Sequence, residues 1–206
     1  AKIEKELNNY QQTMANVNVN QEAKQKTTGY GIVSLPKNAA NGQVSVVAKG
    51  LTATNLVRNG DFRNGTSGWL AGGSTLSADN GVLRITATGT SDSPLTSRNL
   101  FTKRRGQKLY VRVKAKVTNS ECQYIRLRVG VYDVYQYTPE ANKEYLISGV
   151  LTMPIDDADI WYVVYHGYEN AEVATGKVME IREAMTVDLT AMFGAGNEPS
   201  KEECDK

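Results

Sequence analysis

Asn55 to Gly73 reads N-L-V-R-N-G-D-F-R-N-G-T-S-G-W-L-A-G-G. Leu56 and Val57 are expected to form a short apolar strand that runs into Asn59-Gly60-Asp61, whose Asn and Gly tolerate left-handed backbone. Phe62 then returns to the core. Asn64 to Gly68 supplies a second turn at once, and that turn delivers Trp69 against a sheet.

Downstream of this block the same grammar repeats. Strand patterns are expected over residues 82–87, 108–117, 123–132, 143–152, 158–166 and 177–189, with Gly, Asn and Pro between them. Regular short strands with such punctuation argue for an antiparallel β-sandwich, in which alternation buries one face of each sheet against the other. From Tyr110 onward, Val111, Val113, Ala115 and Val117 point inward while Arg112, Lys114 and Lys116 point outward. In the next strand Ile125, Leu127, Val129 and Val131 are expected inside, opposite Tyr124, Arg126, Arg128 and Tyr132. If these two sequential strands pair, their outward cations form one basic face suited to an anionic polymer.

Upstream, residues 1–28 are polar, and Ile3, Leu7, Tyr10, Met14 and Val17 recur at the a/d spacing of a coiled coil. About two heptads are too short to stand alone, so the stripe calls for partner helices or for packing on its own domain. Two short strands around residues 36–42 are then expected to form a hairpin connector over 29–54. After the sandwich, 193–199 reads as a loop, and Ser200-Lys201-Glu202-Glu203 as a capped helix start.

Composition bounds the function. The chain has 206 residues, 40% hydrophobic and 22% charged, with a formal net charge of +2. That charge and the lack of a basic arm argue against nucleic acid, and no apolar run approaches the roughly 18 residues of a membrane span. Cys122 and Cys204 form neither a metal spacing nor a disulfide framework and are read as free thiols. With no initiator Met and no signal peptide, the chain reads as a piece of a longer polypeptide.

The N-G-x-F and G-W pattern resembles the start of jelly-roll carbohydrate-binding modules attached to xylanases and cellulases. Together with Leu35-Pro36-Lys37, Asn41 to Val46, Lys49 to Leu56 and Val187 to Pro199, it resembles still more the jelly-roll domains of tail proteins from phages and prophages of Gram-positive bacteria. The resemblance implies a mainly β chain: an antiparallel jelly-roll β-sandwich of galactose-binding-like type over 55–190, preceded by a coiled-coil-type helical stalk (1–28) and the hairpin (29–54), and followed by a C-terminal loop and helix start (191–206). It also implies a structural, non-enzymatic tail-fibre or baseplate-associated protein, a homotrimer meeting other tail or baseplate proteins. Its place would be the virion or a prophage-derived particle, acting extracellularly on bacterial cell-wall polysaccharide or teichoic acid. The alternative is a carbohydrate-binding module of a secreted polysaccharide-degrading enzyme.

Saccharide candidates are aromatic, because ring faces stack on apolar sugar surfaces at little entropic cost. They are Tyr132, Tyr135 and Tyr137, and Trp161, Tyr162, Tyr165 and Tyr168, with Arg126 and Arg128 beside them. By alternation Trp161, Val163 and Tyr165 share one face and Tyr162, Val164 and His166 the other, so at most one set is exposed. Catalysis has little to stand on: His166 has no nucleophile motif near it and is expected at the rim, while Asp156, Asp157 and Asp159 read as solvated loop acids. No cofactor is expected. The resembling modules hold a structural Ca²⁺ beside the N-G-x-F block, with a carboxylate just after the Phe. Arg63 occupies that position here, which leaves Asp61 and Asp188 as oxygen donors.

Overall fold

The chain divides into two units, residues 1–50 and 51–206. A computed structural model describes residues 54–99, 105–154 and 160–206, all in the second unit. The stalk with its stripe Ile3, Leu7, Tyr10, Met14 and Val17, the hairpin connector, and Asp156, Asp157 and Asp159 lie outside the described residues.

Among the described residues ten strands build two antiparallel five-stranded sheets. They are β1 (Leu70–Gly72), β2 (Ser74–Asp79), β3 (Val82–Ala87), β4 (Leu95–Asn99), β5 (Lys108–Val117), β6 (Tyr124–Val129), β7 (Tyr132–Tyr137), β8 (Tyr145–Thr152), β9 (Trp161–Gly167) and β10 (Val178–Asp188). Sheet one runs β1-β4-β9-β6-β7 and sheet two β2-β3-β10-β5-β8. Only the hairpins β2-β3 and β6-β7 join sequence neighbours within one sheet. Every other connection crosses the sandwich, as in a jelly roll.

The inward rows meet between the sheets. Val111, Val113, Ala115 and Val117 from β5 and Leu83, Ile85, Met179 and Ile181 from β3 and β10 pack with Ile125, Leu127, Val129, Tyr162 and Val164 of sheet one. Each large side chain buried in this way contributes about 1.5–3 kcal/mol. Two expectations fail at the end of β6. The stretch 123–132 is two strands, because Gly130-Val131 makes a tight turn that pairs Val129 with Tyr132. Val131 at that turn is 65% exposed rather than inside, while Tyr132 turns inward against the core and its hydroxyl donates to the Thr152 carbonyl.

Residues 55–69 are turns rather than a strand followed by turns, and the only strand of the block is β1 at its end. Leu56 and Val57 make no ladder: Leu56 N–H donates to the Thr186 carbonyl, and buried Val57 starts a turn. Asn55 bridges the irregularity of β10 between Arg182 and Met185, with Nδ2 donating to the Ala184 carbonyl and Oδ1 accepting from Thr186 N–H. Asn59, at φ 56°, ties down the second turn through Gly65 and Ser67 carbonyls and Asn64 N–H. At Gly60 an added Cβ would sit 2.0 Å from the Ala184 carbonyl oxygen, so only glycine fits. Phe62 and Trp69 are buried with ring centroids 5.2 Å apart, as expected of both.

The end of the chain closes over part of sheet two. Helix α1 (Ala171–Ala174) bridges β9 and β10, and α2 (Leu189–Phe193) and α3 (Lys201–Cys204) follow β10. Leu189, Met192, Phe193 and Cys204 pack with Tyr110, Val187, Val150 and Met185 on the outer side of sheet two. Asp205 accepts from Tyr110 and Ser148 hydroxyls, and Glu198 from Thr190 hydroxyl and Lys108. The expected capped start at Ser200 is present as a capping box with Glu203.

Candidate functional site

The outer face of sheet one carries a strip of aromatic rings around an arginine. Strand register places Leu95 of β4, Tyr165 of β9, Arg126 of β6 and Tyr135 of β7 in one row across the sheet. Gly167, Tyr124 and Tyr137 form the next row, and Ser97, Val163, Arg128 and Asp133 the row on the other side. Tyr135 and Tyr137, two residues apart on β7 and therefore on one face, stack at 5.0 Å with planes 6° apart. Tyr124 meets Tyr135 edge-on at 5.7 Å.

Tyr124 owes its position to Gly167. A Cβ there would lie 2.1 Å from the Tyr124 ring, so the glycine opposite lets the ring lie down on the sheet. Its hydroxyl shares a hydrogen bond of 2.8 Å with Ser93. The Arg126 guanidinium stands 3.8 Å over the Tyr165 ring, a close cation–π contact. Arg128 grips Asp133 with two bonds of 2.8 and 2.9 Å, which holds the Asp133 carboxyl below the usual carboxylate range.

The structure gathers six of the proposed saccharide residues here: Tyr135, Tyr137, Trp161, Tyr165, Arg126 and Arg128. Tyr137 is 62% exposed, Tyr135 38% and Trp161 37%. Trp161 lies four residues along β9 from Tyr165, about 13 Å at ~3.3 Å per residue. Three others leave the site. Tyr132 packs inward; Tyr162 is fully buried with its hydroxyl donating to the Arg112 carbonyl at 2.6 Å; Tyr168 is buried against His166 and Asn119. Alternation separated the two sets on β9 correctly. Tyr168, beyond the strand's end, follows no such rule. Sequence reasoning passed over Tyr124, Leu95 and Asp133 as site residues, although alternation had put Tyr124 in the outward row with Arg126 and Arg128.

His166 is not at the rim. It is completely buried, with Nδ1 2.9 Å from the Tyr168 hydroxyl, and burial pushes its pKa down to about 3. No single basic face joins β5 to β6 either, because these strands lie in opposite sheets. On sheet two Arg84 and Lys116 share Glu180, Arg112 and Lys114 share Glu183, and Arg182 pairs with Glu144, all between 2.6 and 3.1 Å.

A separate cleft of about 600 Å³ lies between the 61–65 turn, the β2-β3 hairpin and the irregular part of β10. It is lined by Asp61, Arg63, Asp79, Asn80, Arg182 and Glu183, which already pair with Arg63, Asn80, Glu144 or Lys114. Of the two candidate calcium donors, Asp61 sits in this cleft beside Arg63, and Asp188 caps α2 and accepts from Gln107. Among the described residues no three His, Cys, Asp or Glu side chains gather to hold a metal ion.

No protein-family model and no curated protein matches this sequence. Solved structures do. A CBM4 module superposes with a TM-score of 0.51 at 16% identity, over 61% of this chain and 97% of the module. The sandwich is similar in fold to a carbohydrate-binding module. Other matches include a CBM61 module in complex with β-1,4-galactotriose (TM-score 0.46, 13% identity, 66% of this chain and 99% of that one). A further one is the tailspike protein 4 of bacteriophage CBA120 (0.48, 12%, 64% and 21%). At these identities the likeness concerns the fold alone.

Proposed function

We propose that this chain carries a non-enzymatic saccharide-binding module whose ligand lies along the outer face of sheet one. The observation that supports this most is the strip itself. Tyr124, Tyr135, Tyr137 and Tyr165 keep their rings on one open surface, two of them stacked flat, with a polar group at the centre to orient a sugar. Nothing on the strip resembles a nucleophile with its base, since His166 is inside the sandwich. Calorimetric titration against a glycan panel tests the reading. A Tyr135→Ala/Tyr137→Ala double variant is expected to lose ~10-fold or more in affinity, at ~0.5–1.5 kcal/mol per ring, without a change in melting temperature. Unaltered affinity in that variant would sink it.

The setting is a phage or prophage tail fibre or baseplate-associated protein, in which the stripe Ile3 to Val17 forms a homotrimeric stalk and the module displays its strip to cell-wall polysaccharide or teichoic acid. This placement rests on the resemblance at residues 35–56 and 187–199. A second reading, a monomeric module from a secreted polysaccharide-degrading enzyme, is favoured by the superposition on nearly the whole length of an isolated CBM4 module.

A further inference from the structure

We propose that the saccharide held on this face is acidic, and that Arg126 receives its carboxylate or phosphate. The inference rests on the reading of the strip as a glycan site and adds the chemical class of the glycan.

Charge on this sheet is unbalanced where the rings are. Its five strands, LAG, LTSRN, WYVVYHG, YIRLRV and YDVYQY, contain one acid, Asp133, against three arginines. Arg98 is committed elsewhere, donating to the Ser67 carbonyl. That leaves Arg126 and Arg128 facing Asp133, two positive charges against one negative. The division is unequal. Arg128 takes both carboxylate oxygens at 2.8 and 2.9 Å, whereas Arg126 Nε reaches no closer than 3.8 Å to the nearer oxygen. Arg126 Nε is buried without a hydrogen-bond partner, and Nη1 has only the Tyr135 hydroxyl, at 3.4 Å. The cations of sheet two are different, because each of Arg84, Arg112, Lys114, Lys116 and Arg182 touches a carboxylate at 3.1 Å or less.

Arg126 is also held ready. Tyr165 supports one face of its guanidinium at 3.8 Å, with Tyr135 and Tyr124 rings at 5.9 and 6.0 Å. With Nε buried, the Nη groups of this ring-supported guanidinium are the donors left for carboxylate or phosphate oxygens, whose geometry they match. A sugar stacked on Tyr135 and Tyr137 therefore has an incompletely neutralised cation beside it.

The test is titration of the whole chain with three probes: an oligogalacturonate, a poly(glycerol phosphate), and a neutral β-1,4-linked gluco-oligosaccharide. One of the acidic probes is expected to bind ~10-fold or more tightly than the neutral one and to weaken as salt is raised. Which acidic probe wins distinguishes a uronic-acid ligand from a phosphate-bearing one. Arg126→Gln should abolish the preference, while Arg84→Gln on the other sheet should keep it. Equal or tighter binding of the neutral probe, or an acidic preference that survives in a folded Arg126→Gln protein, overturns the inference and leaves the glycan reading standing. Binding of no glycan overturns both. The selectivity of the unaltered chain decides the matter even if the Arg126 variant fails to fold.

Discussion

His166 sits sealed between the sheets as a neutral imidazole, hydrogen-bonded to Tyr168 and with Nε2 unpartnered. Its pKa of about 3 lies below the ordinary value of 6.5, so between those limits the unfolded chain binds a proton that the folded chain does not. Stability therefore falls as pH drops from 6.5 toward 3, by up to ~1.4 kcal/mol per pH unit. Asp133 and Glu183, held below the usual carboxylate range chiefly by hydrogen bonds from Arg128 and Lys114, lose their contribution only at lower pH. The melting temperature is expected to decline from pH 6.5 to 4.5 and that slope to flatten in His166→Gln. An identical slope in the variant would contradict the assignment. At this scale the sequence disclosed the turn chemistry of Asn59, a local rule, and the burial of Phe62 and Trp69, whereas Gly60 is required by the Ala184 carbonyl far along the chain. It did not disclose His166, because burial at a strand's last positions depends on what the other sheet places above it.

Strands were legible where alternation was long. The spans of β3 and β5 match expectation to the residue, since their inward rows are unbroken aliphatics, and β10 nearly so, although its ladder is interrupted between Arg182 and Met185 and buries Thr186. β1, β2 and β4 were not seen: they are short, and LAG, STLSAD and LTSRN carry few large apolar residues. The β6-β7 join was missed because Val131 and Tyr132 continue an apolar pattern through a turn. Pairing was less legible than position. The rule that sequence neighbours pair holds for β2-β3 and β6-β7 but fails for β5 and β6, which a jelly roll sends to opposite sheets. That failure divided the expected basic face. The inward assignment of β6 is testable: Val129→Asp puts an unpaired charge into the centre of the sandwich and should abolish the cooperative thermal transition, whereas an unchanged melting temperature would refute the assignment.

For the whole molecule, the two faces of the sandwich have different fates. Sheet two's outer side is laced by ion pairs and partly covered by the C-terminal segment from Leu189 to Asp205, while sheet one's is aromatic and, among the described residues, uncovered. The choice between fibre and excised module turns on the first 28 residues. Light scattering of the 22.6 kDa chain should give about three chain masses, reduced in a version starting at Gly29. A monomer in both would favour the isolated module. The location of the ligand is the central claim, and chemical-shift mapping on the isotopically labelled chain with a bound oligosaccharide addresses it most directly. Shifts concentrated at Tyr124, Arg126, Tyr135, Tyr137 and Tyr165 are the expected result. Shifts gathered instead around Asp61, Asn80 and Arg182, at the polar cleft beside the β2-β3 hairpin, would contradict it.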